Sequence, residues 1–121
     1  MKNQVDNGST VNYTNGSGST IAAGAVVAMS HCLGIAIADI PDGETGAVKI
    51  TGKFTVPKVS AAVFAVGEKL VWDSSAGAFD DSAAVAASGD ITGGAVAAVA
   101  GAATETTCVV VLTPGNATLT A

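Results

Sequence analysis

The segment from Val48 to Gly77, VKITGKFTVPKVSAAVFAVGEKLVWDSSAG, gives the strongest indication of the fold of this chain. It opens with an alternation that has the period of a β-strand with one buried face. The residues on the predicted inward face are Val48, Ile50, Gly52, Phe54 and Val56. Pro57 then ends the strand, because proline lacks the N–H group that a strand ladder needs.

A short helix is predicted next, over Pro57–Val66, since the fixed φ of proline suits a first helical turn. A helix this short must pack on the sheet to be stable. The alanine-rich segment Ala83–Ala87 is a second helix candidate. Gly67 ends the first helix, Leu70–Trp72 returns as a strand, and Asp73–Gly77 has the composition of a turn.

The rest of the chain is predicted to be β-structure. Ile35–Ile37 and the strand that begins at Val48 flank a turn and predict one hairpin. Ala95–Ala100 and Cys108–Leu112 predict a second. Turn signals recur about every 8–12 residues, which favours a sandwich or small barrel. We therefore predict an all-β fold, a small β-barrel or sandwich with one short helix after Pro57. A single domain is expected over residues 10–115, with a flexible arm over 1–9 and a tail over 116–121.

The order of these elements resembles the head decoration, or capsid cement, proteins of tailed bacteriophages and prophages. Upstream, Thr10–Asn15, Ile21–Val27 and Leu33–Ala36 resemble the first three strands of that family. Downstream, Gly93–Ala97 and Cys108–Leu112 resemble its closing hairpin. The order and spacing make the resemblance, and no single motif is specific. The positions expected to have structural roles are Gly52, Phe54, Pro57, Gly67, Trp72, Asp73 and Gly77.

The resemblance implies a non-enzymatic protein without a cofactor. Its expected partners are the major capsid protein and further copies of itself, as a homotrimer on the shell. Its expected location is the outer capsid surface of the virion, after assembly in the cytoplasm of the bacterial host. The polar N-terminal arm with Asn3, Gln4 and Val5, to which no family feature is carried over, is expected to order on that shell.

Composition and charge narrow the possible partners. Hydrophobic residues make up 49% of the 121 residues but aromatic residues only 4%, so the core must consist mainly of valine and alanine. A core of small side chains buries little area per residue and benefits from oligomerisation. The net charge is −5, arginine is absent, and the five lysines are dispersed. Binding to nucleic acid needs clustered cations, so we expect none.

No membrane association is expected. The N-terminus lacks the apolar segment of a signal peptide. Ile21–Ala38 is uncharged but is interrupted by small and polar residues, and Ser82–Thr104 is broken by turns.

Candidate catalytic and metal-binding residues are few. His31 is the only histidine, and no G-x-S-x-G motif accompanies it. Cys32 and Cys108 are expected to be reduced thiols, because nothing indicates export. The acidic groups at residues 39–44 and at residues 80–81 match no calcium-loop spacing and are interpreted as solvated turns. The chain is therefore predicted not to be an enzyme or a metalloprotein.

Two apolar segments do not alternate as half-exposed strands should. Ala95–Ala100 is apolar on both faces, and an unbroken apolar run follows in the second hairpin strand. Either both faces lie in the core of a closed barrel, or the outer face packs on another subunit. The residues of that candidate subunit interface are Val109, Val110, Val111 and Leu112.

Two other functional classes are alternatives to the decoration hypothesis. A ligand- or glycan-binding β-module on a virion or cell surface normally displays aromatic side chains, and this chain has only one Trp and one Tyr. A small hydrolase would need a partner for His31 that the sequence does not indicate.

Overall fold

The strands of this protein form two antiparallel sheets. The computed structural model describes residues 8–29 and 31–120. The first sheet contains β1 (Thr10–Thr14), β2 (Val26–Ala28), β3 (Leu33–Ala36) and β4 (Thr45–Lys49), in the order β1–β4–β3–β2. The second contains β5 (Lys53–Pro57), β6 (Lys69–Asp73), β7 (Ala78–Asp80), β8 (Ile91–Ala97), β9 (Thr107–Leu112) and β10 (Thr118–Leu119). Its order is β5–β9–β8–β6–β7, and β10 pairs with β8.

The second sheet curls until its two edges nearly meet. Lys58, directly after β5, forms a parallel bridge with Phe79 of β7. The N–H group of Val59 also donates to the carbonyl oxygen of Phe79, at 2.9 Å. The sheet is thereby a small barrel with one short, bridged seam. The prediction of an all-β fold is confirmed.

Both predicted hairpins are present, but the strand predicted over Val48–Val56 is two strands. β3 pairs with β4, and β8 pairs with β9. β4 ends at Lys49, and β5 begins at Lys53 in the other sheet. Between them Gly52 has a φ of 118°. Only glycine adopts that backbone conformation without strain, so the chain can leave one sheet and enter the next here.

The predicted helix after Pro57 is wrong, and so is the alternative over Ala83–Ala87. Neither segment is helical, and no helix occurs among the described residues. Phe64 forms an antiparallel bridge with Gly101 instead. Its N–H and C=O groups both bond to Gly101, at 3.1 and 2.9 Å. Hydrogen bonds to the distant β8–β9 loop satisfy the backbone groups that a helix would have satisfied locally, which is why the tertiary structure overrides the local preference.

The turn that follows β6 matches the sequence prediction. Asp73 accepts hydrogen bonds at its Oδ1 atom from the N–H groups of Ser75 and Ala76, both at 3.1 Å. The N–H group of Gly77 donates to the carbonyl oxygen of Asp73, at 2.8 Å. Just before this turn, the buried Trp72 packs edge-to-face on Phe79 of β7, with ring centroids 5.0 Å apart. The turn and the aromatic pair together fix the β6–β7 hairpin.

The two sheets share one core. Leu33 and Ile35 of β3 belong to the main hydrophobic cluster, which the inward residues of the barrel complete. A Cβ atom on Gly94 of β8 would lie 2.8 Å from two carbon atoms of Leu33. β3 therefore packs directly on the backbone of β8. A smaller cluster on the opposite face of the first sheet contains Val27, Ala36, Ile40 and Val48.

The end of the chain is part of the second sheet. β10 pairs with the first residues of β8, with Leu119 beside Ile91, whereas β9 pairs with the last residues of β8. Between the two pairings Gly93 has a φ of 82°, and a Cβ atom there would lie 2.7 Å from the carbonyl oxygen of Asn116. Residues 118–119, predicted to lie in the tail, thus extend the pairing of β8.

Gly101 tests the close packing of the barrel. A Cβ atom at this position would lie 2.5 Å from the ring of Phe64, which is itself buried. We expect Gly101→Ala to lower the free energy of unfolding by about 1–3 kcal/mol, because the ring cannot move without disturbing the core. Urea denaturation measures the change. The matched control is Gly16→Ala, where nothing lies within 4 Å of the new methyl group; equal effects at both sites would contradict the packing.

Asp90 is a buried carboxylate that holds two loops to the start of β8. Its Oδ1 atom accepts from the N–H and hydroxyl groups of Ser74, at 3.1 and 3.2 Å, and its Oδ2 atom accepts from the N–H group of Ala87, at 2.9 Å. The pKa of Asp90 lies below its ordinary value of 3.8, chiefly because the N–H groups of Ala87 and Ser74 donate hydrogen bonds to the carboxylate. The ionised form is therefore favoured by the fold.

Because the pKa of Asp90 is lower in the folded state than in the unfolded state, the free energy of unfolding depends on pH. The contribution of Asp90 is fully present above its unfolded pKa, about 3.9, and is lost as the pH falls towards the folded value. We expect Asp90→Asn to be less stable than the parent at pH 7, and the difference to shrink below about pH 4. Thermal unfolding across this pH range measures both. A difference that stays constant with pH would show that the charge of Asp90 does not contribute.

Candidate interaction surface

The outer face of the barrel is the candidate interaction surface. Buried and partly exposed residues alternate along β9, and Val109 and Val111 belong to the partly exposed set. Val96 of β8 lies beside Val111 in the register of the sheet and is also partly exposed. These three side chains point away from the barrel interior. We call Val96, Val109 and Val111 the valine stripe.

The alternation divides the predicted subunit interface into two pairs. Val110 and Leu112 are 0% and 4% exposed and belong to the main core. Their side chains are not available to a second subunit. The barrel interior therefore accounts for one half of the unbroken apolar run. Contact with another subunit stays a prediction for Val109 and Val111.

Two lysines flank the valine stripe. Lys53 of β5 pairs with Val111, Val111 with Val96, and Val96 with Lys69 of β6. The four residues form one continuous row across four strands, which we call the lysine–valine row. Neighbouring strands lie about 4.8 Å apart, so the two lysine Cα atoms are about 14 Å apart when the distance is followed along the curved sheet. The row presents an apolar centre with a positive charge at each end.

A small cavity of about 170 Å³ opens beside Val109. Its walls come from the first residues of β9 and from the loop that connects β8 with β9. The lining residues are Val99, Ala100, Gly101, Glu105, Thr107, Cys108 and Val109. Val99 is 54% exposed at the rim. The cavity extends the apolar surface of the valine stripe towards this loop and is large enough for one small side chain.

Lys58 is a buried lysine that fixes this loop. It is 4% exposed, and its Nζ atom donates to the carbonyl oxygens of Val59, Ser60 and Glu105 at 2.9, 3.2 and 3.3 Å. Nζ also lies 6.0 Å from the ring centroid of Phe64. The ammonium group thus joins the segment after β5 to the β8–β9 loop. Sequence reasoning missed this role, because nothing local separates Lys58 from the other lysines.

The residues considered for catalysis are not arranged as a nucleophilic site. His31 is exposed in a turn, where its N–H group donates to the carbonyl oxygen of Met29. Cys32 and Cys108 are both free thiols. Burial raises the pKa of Cys108 to about 11 and also raises the pKa of Cys32. A thiol that stays protonated at neutral pH is a weak nucleophile.

Metal-ligating side chains are dispersed. Within residues 8–29 and 31–120, no three His, Cys, Asp or Glu side chains form a group that could hold a metal ion. Asp39 and Asp42 instead accept hydrogen bonds from the N–H groups of Ala23 and Gly18. In the same part of the chain, no helix has the length and apolarity to cross a membrane. Asn3, Gln4 and Val5, predicted to contact a capsid, lie outside the described residues.

A family model described as phage cement protein matches residues 5–112. The chain belongs to the phage cement protein family. The resemblance stated from the sequence is thereby confirmed, over nearly all of the chain. No curated protein matches the sequence. As a member of this family, the cement protein is a structural protein that associates with the capsid of a bacteriophage.

A pair of charge substitutions tests which face of β9 points outward. Val111→Asp places a carboxylate on the outer face, and we expect the cement protein to remain folded with little loss of stability. Val110→Asp places the same group in the core, where an unpaired charge costs several kcal/mol, and we expect unfolding. Circular dichroism with thermal melting distinguishes the two. Unfolding of both variants would place Val111 in the core.

Proposed function

We propose that this cement protein binds the exterior of the expanded phage head and stabilises it against the pressure of packaged DNA. Copies would sit near three-fold and quasi-three-fold positions and bridge neighbouring major capsid proteins. The family match over residues 5–112 is the observation that supports this proposal. No chemical step is required, and we propose that the protein has no enzymatic activity.

The mechanism would be multivalent. A single contact between a small domain and the shell need only be weak. Once one contact has formed, the next is intramolecular, so its effective concentration is high. A domain that spans two or more capsid subunits therefore resists their separation more strongly than any one contact could. The interlocked core of the two sheets would transmit the load without deforming.

We further propose that the copies associate as homotrimers through the valine stripe. Partly exposed Val109 and Val111 lie together on the outer face of the barrel, and the cavity beside Val109 lengthens this apolar surface. A contiguous apolar surface on a small protein is typical of an interface. Closed association of three copies would also match a three-fold position on the shell.

The N-terminal arm is proposed as a contact with the capsid. Residues 1–9 are predicted to be a polar arm that precedes the domain over 10–115, and Asn3, Gln4 and Val5 are the proposed contact residues. An arm that orders on binding loses conformational entropy, which its contacts with the shell must offset. Such an arm can reach a neighbouring capsid subunit that the domain does not touch.

The charge of the protein is compatible with the outer surface of a DNA container. The net charge is −5 and the chain has no arginine, so it lacks the clustered cations that would draw it to the packaged DNA. We propose an outer location on the virion, after synthesis and assembly in the cytoplasm of the host.

Burial of the aromatic residues weighs against a glycan-binding module. Trp72, Phe64 and Phe79 are 8%, 3% and 0% exposed. Tyr13 and Phe54, the other two aromatic residues, are partly buried against the cores. A sugar-binding site normally offers an exposed aromatic face, and none of these five rings is fully exposed.

Binding to heads is the experiment that tests the proposed function. We expect purified protein to saturate expanded heads of its own phage and to bind unexpanded procapsids poorly, because expansion creates the surface that it recognises. A ligand that binds only the assembled state opposes disassembly by mass action, by about 2.7 kcal/mol per site at one hundred times the Kd. Co-sedimentation measures binding, and thermal disruption of heads measures stabilisation.

A truncated chain that lacks residues 1–7 serves as the comparison. It should remain folded but bind expanded heads more weakly, if the arm contributes a contact. Equal binding of the full chain to both head forms, or no gain in head stability at saturation, would contradict the proposed mechanism. A glycan- or ligand-binding role would then become the better hypothesis.

A further inference from the structure

The charges of the lysine–valine row indicate what can lie opposite it. Lys53 and Lys69 are both exposed, and neither has an ion-pair partner among residues 8–29 and 31–120. Asp80 of β7 pairs with Val71 rather than with Lys69, and its carboxylate accepts a hydrogen bond from the N–H group of Asp81. In a chain of net charge −5, the row is therefore a local positive surface that the described residues leave without an ion pair.

The row cannot pair with a copy of itself. A two-fold contact between two rows, in either direction, would bring lysine against lysine at both ends. Like charges brought together at an interface cost several kcal/mol. An isologous dimer through this face is thus disfavoured, and the face needs a different, acidic surface opposite it.

The same chain provides such a surface on its first sheet. Residues 37–44, between β3 and β4, form a turn that we call the acidic turn. Its three carboxylates, on Asp39, Asp42 and Glu44, are all exposed. Ile37, 53% exposed, lies beside them, as does the exposed Pro41. The acidic turn thus offers exposed apolar and acidic side chains within eight residues, and its charge is opposite to that of the lysine–valine row.

The turn is also held in place before any partner binds. Asp42 accepts from the N–H group of Gly18 at 3.0 Å, and Asp39 accepts from the N–H group of Ala23 at 2.8 Å. The N–H group of Glu44 donates to the carbonyl oxygen of Pro41, at 3.0 Å. A fixed turn loses little entropy on binding, which favours association.

We propose that the lysine–valine row of one copy binds the acidic turn of a second copy. The two surfaces lie on different sheets, so the contact is head-to-tail, and a rotation of about 120° between neighbours would close it into the trimer proposed above rather than a two-fold dimer. This inference rests on the self-association proposed above and names the two surfaces that form it. It is independent of head binding, which a monomer could also perform.

Charge reversal tests the contact. We expect Lys53→Glu with Lys69→Glu to weaken self-association at least tenfold in sedimentation velocity at about 0.05 M salt, and parent association to weaken at about 0.5 M salt. Lys49→Glu, on β4 outside the row, is the matched control and should associate like the parent. Adding Asp42→Lys and Glu44→Lys to the double variant should restore association. Thermal melting of each variant confirms that it is folded.

Cross-linking identifies the surfaces directly. A carbodiimide joins a lysine amine to a carboxylate only when the two are in contact. With an equal mixture of ¹⁴N- and ¹⁵N-labelled protein, we expect mixed-isotope links from Lys53 or Lys69 to Asp42 or Glu44, in solution and on saturated heads. Absence of these links from both preparations would overturn the inference, as would a two-fold dimer or association that the charge reversals leave unchanged. Parent protein that stabilises heads without these links would retain the proposed function and lose only this interface.

Discussion

The contact between Leu33 and Gly94 is the constraint on which the rest of the structure depends. Because Gly94 has no side chain, Leu33 can rest on the backbone of β8, and the first sheet packs directly on the barrel. A buried leucine contributes about 1.5–3 kcal/mol, a large share of the stability of a small domain whose core is mainly valine and alanine. Without that approach, the two sheets would have separate and smaller cores.

Packing on one side leaves the other side of the barrel for interaction. The inward residues of β8 and β9 meet the first sheet and the other barrel strands, so Val110 is buried completely. The outward residues Val96, Val109 and Val111 stay partly exposed. Lys58 stiffens the adjoining loop through three carbonyl oxygens, which keeps the outer apolar surface in one shape. A rigid, partly apolar face is suited to association between copies or with a shell.

The charges of Lys53 and Lys69 then determine which kind of surface can bind that face. Isolated lysines on an acidic protein would normally be of little consequence, because exposed charges are screened by salt. Lys53 and Lys69 differ because they bracket an apolar centre, where a partner would exclude water and strengthen the attraction. The register of β5, β9, β8 and β6 places one lysine at each end of the row, with the two valines between them.

The sequence alone determined the fold class and the family, since alternation, turn residues and their spacing are local properties of the chain. The same reasoning placed Asp73 in its turn. The tertiary structure was needed to show that Pro57–Val66 is not helical, because the backbone of Phe64 bonds to Gly101, far along the chain. It alone also decided which valines of β9 face outward and that Lys53 and Lys69 share a row, since register and barrel closure depend on contacts between residues distant in sequence.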